Sequence, residues 1–116
     1  MKMLKNKVLL IGNVGDTPMS HTFESGKKVT RFTLATNETY RNANGEKVQG
    51  SQWHNLVAWR NTADIIEKYV TKGKEVAIEG KLTSRSYENE AGEKYYITEI
   101  LVNEILLLDS KNNMKN

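Results

Sequence analysis

Residues 52–60 read Gln52-Trp53-His54-Asn55-Leu56-Val57-Ala58-Trp59-Arg60, with two tryptophans six positions apart. Side chains of a β-strand alternate between its two faces, so residues separated by an even number share a face. As a strand, this segment carries Trp53, Asn55, Val57 and Trp59 on one face and His54, Leu56 and Ala58 on the other. Because Leu56 and Ala58 can supply the buried face, the pattern predicts that both indoles form an exposed apolar platform beside Arg60.

A rival interpretation places both tryptophans in the core, where tryptophan is mostly buried. The rest of the sequence favours the exposed platform. In residues 74–87, one strand face carries Lys81, Arg85 and Tyr87, and the opposite face carries Val76, Ile78 and Leu82. Flat aromatic rings next to cations are suited to stacking unpaired bases while neutralising phosphates. The pattern therefore predicts a nucleic-acid-binding surface whose stacking residues are Tyr40, Trp53, Trp59 and Tyr87.

The order of elements predicts the fold. Strands are expected at residues 5–13, 20–24 and 28–41, followed by the tryptophan strand. A change of apolar parity within 28–41 indicates a bulge or sharp bend, and Asn44-Gly45 predicts a hairpin turn. Ala63, Ile66 and Val70 recur at helical spacing with Ile65 and Tyr69 alongside, which predicts a helix capped by Asn61 and Asp64 and ended by Gly73, with Lys72 in its last turn.

A second hairpin is expected over residues 75–102, turning through 89–93, and a separate short strand at 105–108. The whole pattern is all-β with one helix. Its order is that of an OB-fold, a five-stranded Greek-key barrel with a helix between strands 3 and 4.

Length and composition narrow the function classes. The 116 residues have room for one domain, predicted to span 1–109 with a short disordered end at 110–116. The absence of cysteine excludes disulfides and thiolate metal sites and fits a cytoplasmic location. No membrane contact is expected, because the sequence has no long apolar run. With two histidines and no phosphate-binding Gly-Lys-Ser/Thr loop, we expect a protein that is not an enzyme, with no catalytic residue, metal site or cofactor.

Several short segments together resemble the bacterial single-stranded DNA-binding proteins. They are residues 6–15, Thr33-Leu34-Ala35-Thr36, Gln52-Trp53-His54, Ile78-Glu79-Gly80 and Thr98-Glu99-Ile100. The resemblance runs in order from about residue 6 to residue 108. It implies a homotetramer of OB-folds that wraps single-stranded DNA with little sequence preference, in DNA replication, repair and recombination, close to the nucleoid.

The resemblance also assigns residues. The family's stacking aromatics fall on Tyr40, Trp53, Trp59 and Tyr87, and its cations near DNA fall on Lys7, Lys72 and Arg85. Arg60 and Lys81 join the expected DNA-binding set because of their positions beside the aromatics. The contact between subunits is expected along the first strand and at His54, with Lys7, Leu9 and Ile11 as the strand residues.

The C-terminus departs from the family pattern. Members of the family typically end in a flexible linker and an acidic tail that recruits replication and repair enzymes, whereas this sequence ends Asp109-Ser110-Lys111-Asn112-Asn113-Met114-Lys115-Asn116. Such recruitment is therefore in doubt. Two alternatives stay open at this point, namely an OB-fold adaptor of the primosome type that works through protein contacts, and a module that prefers RNA.

Overall fold

The computed structural model describes residues 5–108, which form six strands and one helix. The strands are β1 (Val8–Val14), β2 (Met19–Thr22), β3 (Lys28–Arg41), β4 (Lys47–Trp59), β5 (Glu75–Glu88) and β6 (Lys94–Leu108). The helix α1 (Arg60–Tyr69) follows β4 directly. The disordered end predicted at 110–116 lies outside the described residues.

Five of the strands close into a barrel. They pair in the order β1-β5-β6-β4-β3, and β1 pairs again with β3. The closing contact joins Asn13 to Ala35 and Val14 to Leu34. The strands β4 and β6 run parallel, whereas β2 extends the sheet beyond β3 in antiparallel pairing. A barrel with its helix between the third and fourth barrel strands is the OB-fold, so the predicted fold class is confirmed.

The barrel interior and one side of the helix form the core. The predicted helical stripe is buried at Ala63, Ile66 and Val70, whereas Ile65 and Tyr69 are exposed. The strands contribute Val14, Phe32, Leu34, Leu56, Ala58, Val76, Ile78, Ile100 and Val102. Lys28 ties the helix to β3, because its ammonium group pairs with Glu67 and, at 3.0 Å, with Asp64. One side of the helix is thus part of the core, and the opposite side is exposed.

Two glycines allow strands to approach closely. A Cβ at Gly12 would lie 2.3 Å from the carbonyl oxygen of Ala35, and one at Gly80 would lie 2.1 Å from that of Leu101. Backbone atoms cannot move aside as a side chain can, so a larger residue at either position opens the strand contact. Gly12 precedes the closing pairs of the barrel, which makes closure depend on it.

The two long hairpins use the same turn. Asn42 accepts hydrogen bonds through Oδ1 from the backbone N–H groups of Asn44 and Glu46, at 2.9 and 3.0 Å. Asn89 does the same for Ala91 and Glu93, both at 2.9 Å. Both turns lie where they are predicted, but a type I′ geometry at Asn44-Gly45 is not formed, because Gly45 has a positive φ and Asn44 does not.

Of the bulge or sharp bend predicted in β3, the bulge is absent from its pairing with β4, and the register shift lies elsewhere. Pairing of β3 with β4 is continuous from Val29–Trp59 to Arg41–Lys47. The apolar parity changes because Val29 and Thr30, which lie on opposite faces of β3, are both buried. The shift occurs where Glu79 pairs with Glu104 but Gly80 pairs with Val102, so Asn103 bulges out. Residues 105–108 therefore continue β6 and do not form a separate strand.

Three further local predictions are wrong. The helix begins at Arg60, before the expected Asn61 cap, and no side chain caps it. It ends at Tyr69, with Lys68 in the last turn instead of Lys72. Gly73 lies in the turn between α1 and β5, where its N–H donates to the carbonyl of Val14 at 2.7 Å. Leu82, predicted to face inward, is exposed because β5 pairs with β1 only as far as Gly80.

Candidate nucleic-acid interface

The four predicted stacking residues all lie outside the core. Trp53 is 64% exposed and Trp59 38%, and both belong to β4. Tyr40 near the end of β3 and Tyr87 near the end of β5 are about half exposed. The interpretation that buries the tryptophans is therefore wrong, because Leu56 and Ala58 fill the inner face of β4 as the alternation predicts.

The indole of Trp53 lies against the backbone of Gly15. A Cβ on Gly15 would lie 2.3 Å from Cζ3 of Trp53 and 2.6 Å from Oγ1 of Thr33. The Gly15 N–H donates to the carbonyl oxygen of Thr33 at 2.9 Å, which fixes this backbone beneath the ring. Trp53 is thus supported on one side by a glycine while most of its surface stays open to solvent.

The indole of Trp59 stacks on a residue that sequence reasoning missed. Phe23, in the turn after β2, lies with its ring centroid 6.0 Å from that of Trp59 and at an interplanar angle of 17°. His21 meets Phe23 edge-on at 4.5 Å. The sequence shows only that Phe23 lies close to the turn at Gly26. Its contact with Trp59 depends on the fold.

A second aromatic pair lies on the β5–β6 hairpin. Tyr87 stacks on Tyr95, its cross-strand partner, with centroids 5.4 Å apart at 25°. The hydroxyl of Tyr95 donates to Glu93 Oε1 at 3.0 Å, and Tyr96 is strongly exposed. The sequence analysis did not identify either tyrosine of β6. Cross-strand pairing within the predicted hairpin would have placed Tyr95 opposite Tyr87.

Tyr40 lies apart from these aromatics. By strand alternation, it has the parity of the inward residues Phe32 and Leu34, not of Ala35, which pairs with Trp53. It extends beyond the barrel on the β3–β4 hairpin, next to Gly50. The structure therefore brings Trp53, Trp59 and Tyr87 to the outer barrel surface, with Tyr40 on the other face of one hairpin.

Between the two tryptophans lies a group of charged residues on three strands. Arg31 pairs with Val57 across β3 and β4, between the Trp53 and Trp59 positions. Its Nε donates to Oε2 of Glu99 at 3.2 Å, and Nε of Arg85 donates to Oε1 of the same carboxylate at 3.2 Å. Arg85 belongs to the predicted set, whereas Arg31 was missed because its strand partner was unknown.

Glu99 is held in its ionised form. Burial raises the pKa of its carboxyl group, but the hydrogen bonds from Arg85 and Arg31 outweigh that effect, so the pKa lies below its ordinary value. At neutral pH the cluster therefore contains two guanidinium groups and one carboxylate.

The other predicted cations differ in their surroundings. Lys7 pairs with Glu79 at 3.3 Å. Arg60 is exposed and has a positive φ of 56°, which turns the chain from β4 into α1. Lys72 and Lys81 are exposed, and Lys81 stands directly opposite Leu101 on the outer surface.

The residues expected between subunits lie on the outer side of β1 and in the barrel wall. Leu9 and Ile11 are 69% and 61% exposed, an unusual state for large aliphatic side chains. Ile11, Ala77 and Leu106 follow one another across β1, β5 and β6, and Leu106 is exposed as well. His54 is half-buried, with Nε2 3.0 Å from Oγ1 of Thr36.

Two negative findings concern residues 5–108. This part of the chain has no group of three or more acidic or histidine side chains placed to hold a metal ion. It also has no helix long and apolar enough to cross a membrane.

Comparisons with known proteins agree with this geometry. Residues 5–108 match the single-strand binding protein family. The chain is similar to "Single-stranded DNA-binding protein 1" of Chlorobaculum tepidum, with 41% identity over 93% of this chain and 67% of the relative. It is also similar to the single-stranded DNA-binding protein of Bacteroides thetaiotaomicron, with 44% identity over 94% and 69%.

Solved structures give the same result. The SSB of Plasmodium falciparum in complex with ssDNA superposes with a TM-score of 0.83 at 36% identity, covering 90% of this chain and 95% of that one. A deletion mutant of the single-stranded DNA binding protein from Thermus aquaticus has a TM-score of 0.81 at 22% identity, covering 92% of this chain and 52% of that one, which shows the shared fold.

Replacing Gly15 by Ala tests how Trp53 is supported. We expect the new methyl group to displace the indole, because the clashing atoms belong to side chains that can move. The protein should stay folded, with a loss of about 1–3 kcal/mol in the free energy of unfolding, and its near-UV circular dichroism should change. The control is Gly50→Ala, whose Cβ would meet Tyr40 at an ordinary 3.6 Å. An unchanged near-UV spectrum for Gly15→Ala would contradict the contact.

Proposed function

This chain belongs to the single-strand binding protein family, and we propose that it binds and protects single-stranded DNA regardless of base sequence. The observation that carries the proposal is the outer barrel surface, where Trp53, Trp59 and Tyr87 are exposed around two arginines. A protein that worked only as an adaptor through protein contacts would have no need of aromatic rings alternating with cations. We further propose that the protein has no enzymatic activity.

Binding on this surface combines two forces. Each base stacked on an aromatic ring contributes about 1–3 kcal/mol, and because every base has a π face this contribution is tolerant of sequence. Cations neutralise phosphates and release counterions, with a slope of about −0.7 in log affinity against log salt for each phosphate contact on a single strand. Arg85 and the exposed Lys81, Lys72 and Arg60 are the proposed phosphate contacts, with Lys7 and Arg31 nearby on the outer surface.

Duplex DNA is a poor ligand for such a surface. Its bases already stack on one another, so none is available for Trp53 or Trp59. The protein should therefore select strands that are transiently unpaired, which arise in replication, repair and recombination. That role places the protein in the cytoplasm with the chromosome. Tyr40 would contact a strand that continues around the β3–β4 hairpin.

We also propose that the chain assembles into a homotetramer. Among residues 5–108, residues 8–12 of β1 pair with β5 alone, since β3 pairs with β1 only at Asn13 and Val14. An unpaired strand edge next to exposed Leu9, Ile11 and Leu106 is suited to pairing with the same edge of a second copy. A further contact at His54 would complete the assembly. Several linked sites raise the overall affinity, because the second subunit meets a strand already bound by the first.

Replacing Trp53 by Ala tests the stacking role. The binding free energy for oligo-dT should weaken by about 1–3 kcal/mol, while the protein stays folded, because the side chain is mostly exposed. The affinity is measured by fluorescence anisotropy of a labelled oligonucleotide. Tyr69→Ala is the matched control, since Tyr69 is 52% exposed but lies on the helix. Unfolding of the Trp53 variant, or unchanged affinity, would contradict the proposal.

Replacing Ile11 by Asp tests the assembly. We expect the mass measured by light scattering at micromolar concentration to fall from that of four chains to that of a smaller species, because a charge would be buried at the contact. Ile65→Asp, on the exposed side of the helix, should leave the mass unchanged. A monomeric unmodified protein under the same conditions would rule out the tetramer.

A further inference from the structure

The group formed by Arg31, Glu99 and Arg85, here called the arginine pair, is built unlike an ordinary surface ion pair. The Glu99 side chain is only 8% exposed, whereas those of Arg31 and Arg85 are 44% and 46% exposed. One buried carboxylate therefore fixes two guanidinium groups that both reach the surface. Each arginine donates through Nε, and its Nη groups carry further N–H donors in the same plane.

The position of the arginine pair is set by the strand register. Along β4 the outward residues are Trp53, Asn55, Val57 and Trp59, and they pair in turn with Ala35, Thr33, Arg31 and Val29 of β3. Leu56 meets Ile100 of β6, which brings Glu99 beside Asn55. The arginine pair thus occupies the surface between the two indoles, which lie roughly 20 Å apart at the usual rise along a strand.

A cleft opens beside the arginine pair. Its volume is about 430 Å³, and its lining includes Arg31, Arg85 and Glu99 together with Phe32, Ile97 and Asp16. Asp16 accepts a hydrogen bond from Oγ1 of Thr33 at 3.4 Å. With a second carboxylate present, net charge alone gives the cleft little attraction for an anion. Directed N–H donors are therefore the feature that would select one.

We propose that Arg31 and Arg85, positioned by Glu99, clamp one phosphodiester group of the bound strand between the bases stacked on Trp53 and Trp59. The clamp rests on the proposed single-strand binding. Guanidinium groups bind phosphate oxygens through parallel N–H donors, and these charge-assisted bonds depend on orientation. Glu99 touches no phosphate and acts as a positioning residue. It holds both arginines in place before the strand arrives, which removes part of the entropy cost of ordering them.

The competing interpretation is that the arginine pair only ties β3, β5 and β6 together. The first test compares Arg31→Gln with Lys68→Gln, a control that removes a cation from the helix surface. For each protein, affinity for oligo-dT is measured at several salt concentrations. The clamp predicts that Arg31→Gln binds about tenfold or more weakly at low salt and that its log–log salt slope is shallower by about 0.7. The control should keep the slope of the unmodified protein.

The Glu99→Gln variant distinguishes the two interpretations by whether its affinity for oligo-dT rises or falls. Removing a negative charge near a polyanion strengthens binding if only the overall electrostatic attraction matters. The clamp predicts the opposite, a several-fold loss of affinity, because the arginines lose their fixed orientation. Melting curves recorded in parallel identify the temperatures at which each variant is folded. If Glu99→Gln does not fold, the half-exposed Arg31 variant decides alone.

The two proposals fail in different ways. An unmodified protein that does not bind oligo-dT overturns the proposed function and the clamp together. If the unmodified protein binds but Arg31→Gln keeps its salt slope, or a folded Glu99→Gln binds as tightly or more tightly, the clamp is wrong and single-strand binding stands. A shallower slope for Arg31→Gln together with weaker binding by Glu99→Gln supports the clamp.

Discussion

Closure of the barrel is the constraint on which the rest of the structure depends. It is made by a short contact, in which Asn13 and Val14 of β1 pair with Ala35 and Leu34 of β3. Gly12 makes this approach possible, because a Cβ at this position would collide with the backbone of Ala35. Once the sheet is closed, each of the five barrel strands has one enclosed face. The apolar residues of that face form most of the core, so the exposed aromatic residues of the outer face are not needed for it.

The candidate site follows from that division. Trp53 and Trp59 are outward because Leu56 and Ala58 are inward, and cross-strand pairing then determines their neighbours. Gly15 lies under one indole, Phe23 stacks on the other, and Glu99 holds two arginines between them. Each indole is thus held on one side by a neighbouring residue of the fold. A surface with its rings and cations already placed loses less entropy when a flexible strand binds.

The sequence predicts this arrangement unevenly, for physical reasons. Alternation along a strand is local, so the exposure of Trp53 and Trp59 and the order of elements could be inferred from the residues alone. Contacts between strands depend on register, which composition does not reveal. The roles of Arg31, Phe23 and Tyr95 were therefore missed. Leu82 was predicted to face inward, although β5 no longer pairs with β1 beyond Gly80. The helix ends were wrong because β4 runs into α1 through an extended Trp59 with no side-chain cap, and the chain leaves the helix at Val70, before Gly73.

The central claim is that the exposed indoles stack on unpaired bases within a cationic surface. It is tested most directly by titrating the unmodified protein with oligo-dT while following tryptophan fluorescence, then adding salt, with a duplex of equal length in parallel. We predict strong quenching by the single strand, reversal at high salt and little response to the duplex. Absence of quenching, or equal quenching by the duplex, would contradict the account.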